Sequence, residues 1–358
     1  MAIRYIGSKA RLLDDLQKHI GLPAPMNGRF VDAFCGTGVV AEAASAMGWP
    51  IWLNDQLISA GIISAARLAS GSEARFKGVG GYAEAIWKLN ALPPHKGYIW
   101  REYSPASERF IGIQRRYFTE ENAGRIDSIR GQIRAWVEGG LLNGVEERLL
   151  VADLLEAVNR VANTAGTYGC FLSTWMSQAL GKIRLKPRQL LTKSVDLLVT
   201  NENASSLQVQ PEDLVYLDPP YTKRQYASYY HILETIALGD EPVVEGVSGL
   251  RPWQTKASDF CYKSRALKAL SDLVAKLPAR KILLSYSEEG HVPIADLCRS
   301  LKKVGHIKKH SLMRVGRYRP NKVASDAGSS VREFLIVIHK HAVAIDQKEL
   351  HYGFSQAL

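Results

Sequence analysis

The sequence predicts an α/β protein: a mostly parallel sheet with helices on both faces, interrupted by an inserted and mainly helical domain. Three features predict it. Residues 29–55 (RFVDAFCGTGVVAEAASAMGWPIWLND) run apolar strand, glycine turn, alanine-rich helix, apolar strand, the pattern of a β-α-β unit. Further apolar strand signals recur in the second half at Leu214 to Leu217, Lys281 to Ser287 and Arg332 to Lys340. From about residue 65 to 193 the pattern is instead helical, broken by Gly and Pro, and it carries Trp87, Trp100, Tyr103, Tyr117 and Phe118. The α/β part is therefore expected at 1–64 and 194–358, with the insertion at 65–193.

In chain order, the first strand ends at Asp32 and hands over to a helix through Gly36 and Gly38. The second ends at Asn54-Asp55. Before Lys281, residues Leu267, Leu270, Leu273, Val274 and Leu277 recur at spacings of three and four, giving a helix with one apolar face. With 358 residues, 46% of them hydrophobic, the chain can bury a core that needs no disulfide or metal staple. Cys35, Cys170, Cys261 and Cys298 form no CxxC pair, which argues against a zinc knuckle or a disulfide framework. The opening MAIRYIGSKARLLDD has no apolar stretch of signal-peptide length, and no run of about 18 apolar residues is present to span a bilayer, so a cytoplasmic protein without membrane contact is expected.

Lys and Arg number 46 against 35 Asp and Glu, a formal charge of +11. That excess favours an anionic partner such as nucleic acid. It is uneven. Arg299 to Lys322 holds nine basic residues and no acid, and Lys182 to Lys193 holds five and no acid. Lys186, Arg188, Arg317, Arg319 and Lys322 in these stretches, with Arg115, Arg116 and Arg224, are the candidate DNA contacts. His231, beside two tyrosines, is read as a packed residue without a catalytic role.

Two motifs carry chemistry. In Phe34-Cys-Gly-Thr-Gly38, preceded by Asp32, the glycines let backbone N–H groups approach a ligand where a strand meets a helix. The order is neither GxGxxG nor that of a P-loop. Asp55, ending the next strand about 20 residues on, is placed like the carboxylate that accepts ribose hydroxyls. In Asp218-Pro219-Pro220-Tyr221, directly after a strand, two prolines remove two N–H donors and leave acceptors without donors. A carboxylate before the prolines and an aromatic ring after them suit a site that accepts hydrogen bonds from an amino group while stacking the ring that bears it.

Asp-Pro-Pro-Tyr together with Phe-x-Gly-x-Gly resembles the signature pair of S-adenosylmethionine-dependent DNA amino-methyltransferases, and Arg4-Tyr-Ile-Gly-Ser-Lys9 looks like the motif that opens the Dam-like adenine methyltransferases. The chain order is similar to their alpha arrangement, and residues 223–235 look like the extension of type II and type IIS modification enzymes. The resemblance implies a Rossmann-like methyltransferase sheet at 1–64 and 194–358, a target-recognition domain at 65–193, S-adenosyl-L-methionine as cofactor and double-stranded DNA as substrate. A companion restriction endonuclease or second methyltransferase is a further partner it suggests. It assigns Tyr5, Ile6, Gly7, Ser8 and Lys9 to the methionine end, with Lys9 facing its carboxylate. Asp32, Phe34, Gly36, Thr37 and Gly38 meet the same end, Asp55 takes the ribose and Asn203 the cofactor adenine, with Glu202 as the alternative. Asp218 and the Pro219 carbonyl would accept the two hydrogens of the target amino group, with Pro220 fixing the turn and Tyr221 stacking on the flipped base. No metal is needed. RNA adenine or cytosine-N4 methylation shares this chemistry, and a DNA-binding module without catalysis remains the reading from another class.

Overall fold

The computed structural model describes residues 7, 9–24, 28–316 and 330–341. Seven strands, β1 (Phe30–Asp32), β2 (Ile51–Asn54), β3 (Leu197–Thr200), β4 (Leu214–Leu217), β5 (Lys281–Ser287), β6 (Gly305–Gly316) and β7 (Ser330–Lys340), form one sheet of order β3-β2-β1-β4-β5-β7-β6. The first five pair in parallel, while β7 lies antiparallel between β5 and β6.

The sheet is covered on both faces, and its central strands are accordingly apolar at nearly every position rather than alternately. Successive residues point to opposite sides. In β4, Leu214 and Tyr216 join one core with Phe30, Leu53, Leu283 and Val337. Val215 and Leu217 join the other with Val31, Ile282, Leu284 and Ile338. Helices α1 (Leu13–Ile20) and α2 (Val39–Ala46) close the first face. The second is closed by the helices Ala266–Lys276 and Ile294–Leu301.

Between β2 and β3 the described residues hold α3 (Ile58–Arg67), α4 (Tyr82–Ala91), α5 (Tyr98–Tyr103), α6 (Glu108–Ile111), α7 (Glu120–Glu138) and α8 (Gly144–Val161). The two long helices begin at side-chain caps. Thr119 accepts the N–H of Asn122 at the start of α7, and Asn143 with Glu146 forms a reciprocal capping box at the start of α8. Following β4 come α9 (Tyr226–Tyr229) and α10 (His231–Leu238); α11 (Ala266–Lys276) precedes β5 and α12 (Ile294–Leu301) follows it. One hydrophobic core joins α3, α4, α5, α7 and α8 with α10, so the helical layer takes in chain from beyond residue 193. In α11, Leu270, Leu273 and Val274 are buried as the spacing predicts, whereas Leu267 is exposed at the helix start.

The start of the basic stretch after Arg299 is corrected by this topology. Arg299 pairs with Asp296 on α12, and Lys302 and Lys303 lie in the turn into β6. Gly305 pairs with Lys340, whose N–H donates to the Arg280 carbonyl just before β5. These cations therefore sit at the end of the sheet where β4 and β5 begin, opposite Asp218, because β6 runs up the sheet from its far end. Arg317, Arg319 and Lys322 lie outside the described residues. Among the described residues no helix is long and apolar enough to cross a membrane.

Candidate active site

The order β3-β2-β1-β4-β5 reverses direction between β1 and β4, and in such sheets the crevice beyond the carboxyl ends of those strands is where ligands bind. A cavity of about 320 Å³ opens there. Its walls come from the turns after β1, β2 and β4, from residues 202–205 and 256–260, and from α11.

The turn after β1 is held by backbone contacts. The Cys35 N–H donates to Asn54 O at 2.9 Å and the Gly38 N–H to Cys35 O at 2.7 Å. Gly38 has φ 75°, and a Cβ there would lie 2.8 Å from Ser64 Cα on α3, so only glycine lets α2 and α3 approach this closely. Asp55 takes the next place: Oδ2 accepts the Gly36 N–H at 3.1 Å and Oδ1 the Leu57 N–H at 3.0 Å. Burial pushes its carboxyl up to about 6. Asp32 is buried with Oδ1 lacking a hydrogen-bond partner among the described residues, and burial, then the nearby Asp218, pushes it well above the usual carboxylate range. Asn203 lines the cavity with Glu202, but its Oδ1 already accepts the Ser205 N–H as a helical cap.

At the end of β4, Asp218 is partly buried, with its side chain 16% exposed, and desolvation is the main cause pushing its carboxyl up to about 6. Lys9, expected at the carboxylate of the methionine end, lines the cavity and faces Asp218. Its ammonium lies 3.0 Å from Asp218 Oδ1, 3.5 Å from Glu333 Oε2 and 5.4 Å from the centre of the Tyr221 ring. At 4% exposure it could not stay charged without these partners, and they hold it well above its ordinary pKa despite burial. Tyr221 donates its hydroxyl to Glu333 Oε1 at 3.2 Å and packs edge-on against Tyr286. Gly7, at φ 82°, also reaches the cavity; Tyr5, Ile6 and Ser8 lie outside the described residues.

Several contributors escape a reading of local sequence. Asn54 is 1% exposed and ties three turns together: Nδ2 donates to Ala33 O and Glu202 O, and Oδ1 accepts from Thr200 Oγ1 and the Glu202 N–H. Gln225 clamps the backbone of Ser258 in both directions, which brings residues 256–260 over the cavity and sets Phe260 edge-on against Phe34. Glu333 is the one acid of β7, directly before the apolar run Phe334 to Ile338, and that is the signal available for it.

Two expected DNA contacts are corrected. Arg115 is buried, pairs with Glu102 at 2.9 Å and donates to the carbonyls of Gly246 and Val247, so it fastens the 246–249 turn. Arg188 pairs with Asp153 on α8 at 2.7 Å and anchors its own segment. Arg116 donates to Ser173 O and Gln114 Oε1 and stays half-buried, as does Arg224. Lys186 and its neighbour Lys182 are exposed. His231 is buried, with Nε2 2.8 Å from Tyr168 O, and burial lowers it to about 4, which suits a packed histidine.

Comparison with known proteins gives the same reading. The family model for D12 class N6 adenine-specific DNA methyltransferases matches residues 5–295. The chain is 34% identical over 345 residues to type II methyltransferase M.FokI of Planomicrobium okeanokoites, covering 94% of this chain and 53% of that protein. It is 33% identical over 308 residues to modification methylase StsI of Streptococcus sanguinis (84% and 46%), and 30% identical over 346 residues to type II methyltransferase M.NlaIII of Neisseria lactamica (94% and 99%). It thus spans about half the length of the first two relatives and nearly all of the third.

Proposed function

This chain belongs to the D12 class N6 adenine-specific DNA methyltransferase family, and from that premise we propose that it methylates N6 of an adenine in double-stranded DNA, with S-adenosylmethionine as donor, as the modification enzyme of a restriction-modification system. The observation that carries this reading is that Asp218 and Tyr221 open on the same cavity as the Phe34–Gly38 turn and Asp55. The residues fit the cofactor. The cavity lies within the ligand-sized range of roughly 300–1,000 Å³. Asp55 offers a half-buried carboxylate for hydroxyl groups, and Asp32 Oδ1 is a buried acceptor still without a hydrogen-bond partner among the described residues. When bound, S-adenosylmethionine supplies an electrophilic methyl group.

The chain's own groups then have distinct tasks. Asp55, the Phe34–Gly38 turn and Asn203 hold the donor. Asp218 accepts a hydrogen of the adenine amino group, which draws that lone pair out of conjugation and stabilises the charge that develops as the bond forms. Tyr221 stacks on the base, whose extrusion from the duplex takes a few kcal/mol. Holding nitrogen and methyl in line supplies about 7–11 kcal/mol by effective concentration. The helical insertion, 65–193, reads the target, and a companion endonuclease or second methyltransferase completes the system. Digesting treated duplex DNA to nucleosides tests the core claim: N6-methyldeoxyadenosine is expected, and N4-methyldeoxycytidine in its place overturns it.

Lys182 and Lys186, both exposed in the acid-free stretch from 182 to 193, are the lysines proposed to meet the phosphate backbone. Replacing both by Gln is expected to weaken duplex binding and to flatten the dependence of log K on log salt by about 0.9 for each phosphate left unneutralised. A titration at several salt concentrations, showing an unchanged slope, rules these two lysines out as phosphate ligands.

A further inference from the structure

We propose that Glu333, on β7, is a positioning residue of the transfer site: it shares the Lys9 ammonium with Asp218, so that Asp218 remains a strong acceptor for the substrate amino group, and it fixes the hydroxyl of Tyr221. This rests on the methyl-transfer reading above and adds a residue from the opposite end of the chain. Glu333 is 5% exposed, and a buried carboxylate is costly unless it is paired. Its pairing is specific. Oε1 accepts the Tyr221 hydroxyl at 3.2 Å, while Oε2, without a hydrogen-bond partner among the described residues, faces Lys9 at 3.5 Å. The Lys9 ammonium is closer to Asp218, at 3.0 Å. One cation thus serves two carboxylates, and the second of them also anchors the ring that follows the two prolines.

The charge distribution explains why this matters. Without Glu333, the Lys9 charge would fall on Asp218 alone and weaken it as an acceptor for the amino group. Asp218 is faced by Lys9 from the N-terminal segment, Glu333 from β7, Asp32 from β1, Tyr216 from β4, and Tyr221 and Tyr226 from the turn and helix after β4. Burial is the main force pushing Asp218 up to about 6; Lys9 lowers it and Glu333 raises it. Removing the Glu333 charge must therefore lower the Asp218 titration. A residue that only filled space would leave it unmoved.

Glu333→Gln keeps the shape and an acceptor for Tyr221. In the free protein, the Asp218 carboxyl carbon, assigned in ¹³C NMR by its loss in Asp218→Asn, should titrate near 6 in the wild type and at least about half a unit lower in Glu333→Gln. In single-turnover assays on duplex DNA the same variant should lose about ten- to a hundredfold in rate, with its acid limb displaced to lower pH. An unmoved Asp218 midpoint, whatever the melting temperature does, overturns the proposal. A displaced midpoint in a protein whose wild type methylates no DNA upholds the charge network and removes the functional reading instead. If Glu333→Gln fails to fold, Tyr221→Phe cuts the contact from the other side. There the midpoint should hold while the transfer rate drops several-fold, and a full rate overturns the hydroxyl anchor.

Discussion

Asp218→Asn is expected to reduce the methyl-transfer rate by about 10³ or more while changing cofactor affinity by less than about threefold. The size follows from the role. Removing one preorganised group aimed at developing charge costs about 10²–10³ in rate, and here the substitution also inserts a donor. Asparagine presents an NH₂ group where the carboxylate presented lone pairs, so one of its orientations opposes the adenine amino group and the other offers a weaker, neutral acceptor. Cofactor affinity should hold because Asp55 and the Phe34–Gly38 turn stand on β1 and β2, outside the Asp218 turn. The two variables separate in one experiment, with binding followed by calorimetry and transfer followed by single-turnover methylation of duplex DNA. pH supplies an independent check. The wild-type rate should fall as Asp218 takes up a proton near pH 6, to which burial raises it; the residual rate of the variant should be flat through that range. A variant that retains more than about a tenth of the wild-type rate removes Asp218 from the mechanism.

The parts of this architecture that are legible in sequence are those whose chemistry is local. Strands β1, β2, β4 and β5 are apolar at nearly every position because both faces of the sheet are covered, and runs of that kind stand out. The two motifs are legible because a glycine turn and a double proline constrain the backbone wherever they occur. Strand β6 is not. Its residues GHIKKHSLMRVG place Lys308, Lys309 and His310 on an edge strand, where charge guards an open edge, and in sequence the same lysines read as a DNA-facing surface. Arg115 and Arg188 mislead for a related reason: a basic residue does not disclose whether its partner is a phosphate or a distant carboxylate such as Glu102 or Asp153. Resemblance places Lys9 on the cofactor, but its nearest charge is Asp218, brought there by β4, with Glu333 added by the antiparallel insertion of β7 beside β5. Charge pairing across a sheet is a property of strand order, and strand order is not written in any one segment.

Lys9→Met should produce the second large effect, and its direction with pH distinguishes it from Asp218→Asn. Lys9 is a buried cation between two carboxylates, so removing it leaves Asp218 and Glu333 without compensation. Breaking a buried pair from one side destabilises by about 3–5 kcal/mol, and the variant should melt well below the wild type. Part of that loss is relieved by protonation, because two adjacent carboxylates share a proton more readily than they both ionise. Lys9 now lowers the Asp218 carboxyl, which burial and Glu333 raise; without Lys9 only the raising influences remain, so the titration moves above its present value of about 6. Asp218 is then substantially protonated near neutral pH and donates where it should accept. The transfer rate at pH 7 is expected to fall about a hundredfold and to recover in part toward pH 9, displacing the acid limb upward, whereas Glu333→Gln displaces it downward. Opposite shifts from two substitutions around one carboxylate would fix Lys9 and Glu333 as its charge partners. A Lys9→Met profile with the wild-type limb, reduced only in height, would instead assign Lys9 to substrate or cofactor binding alone.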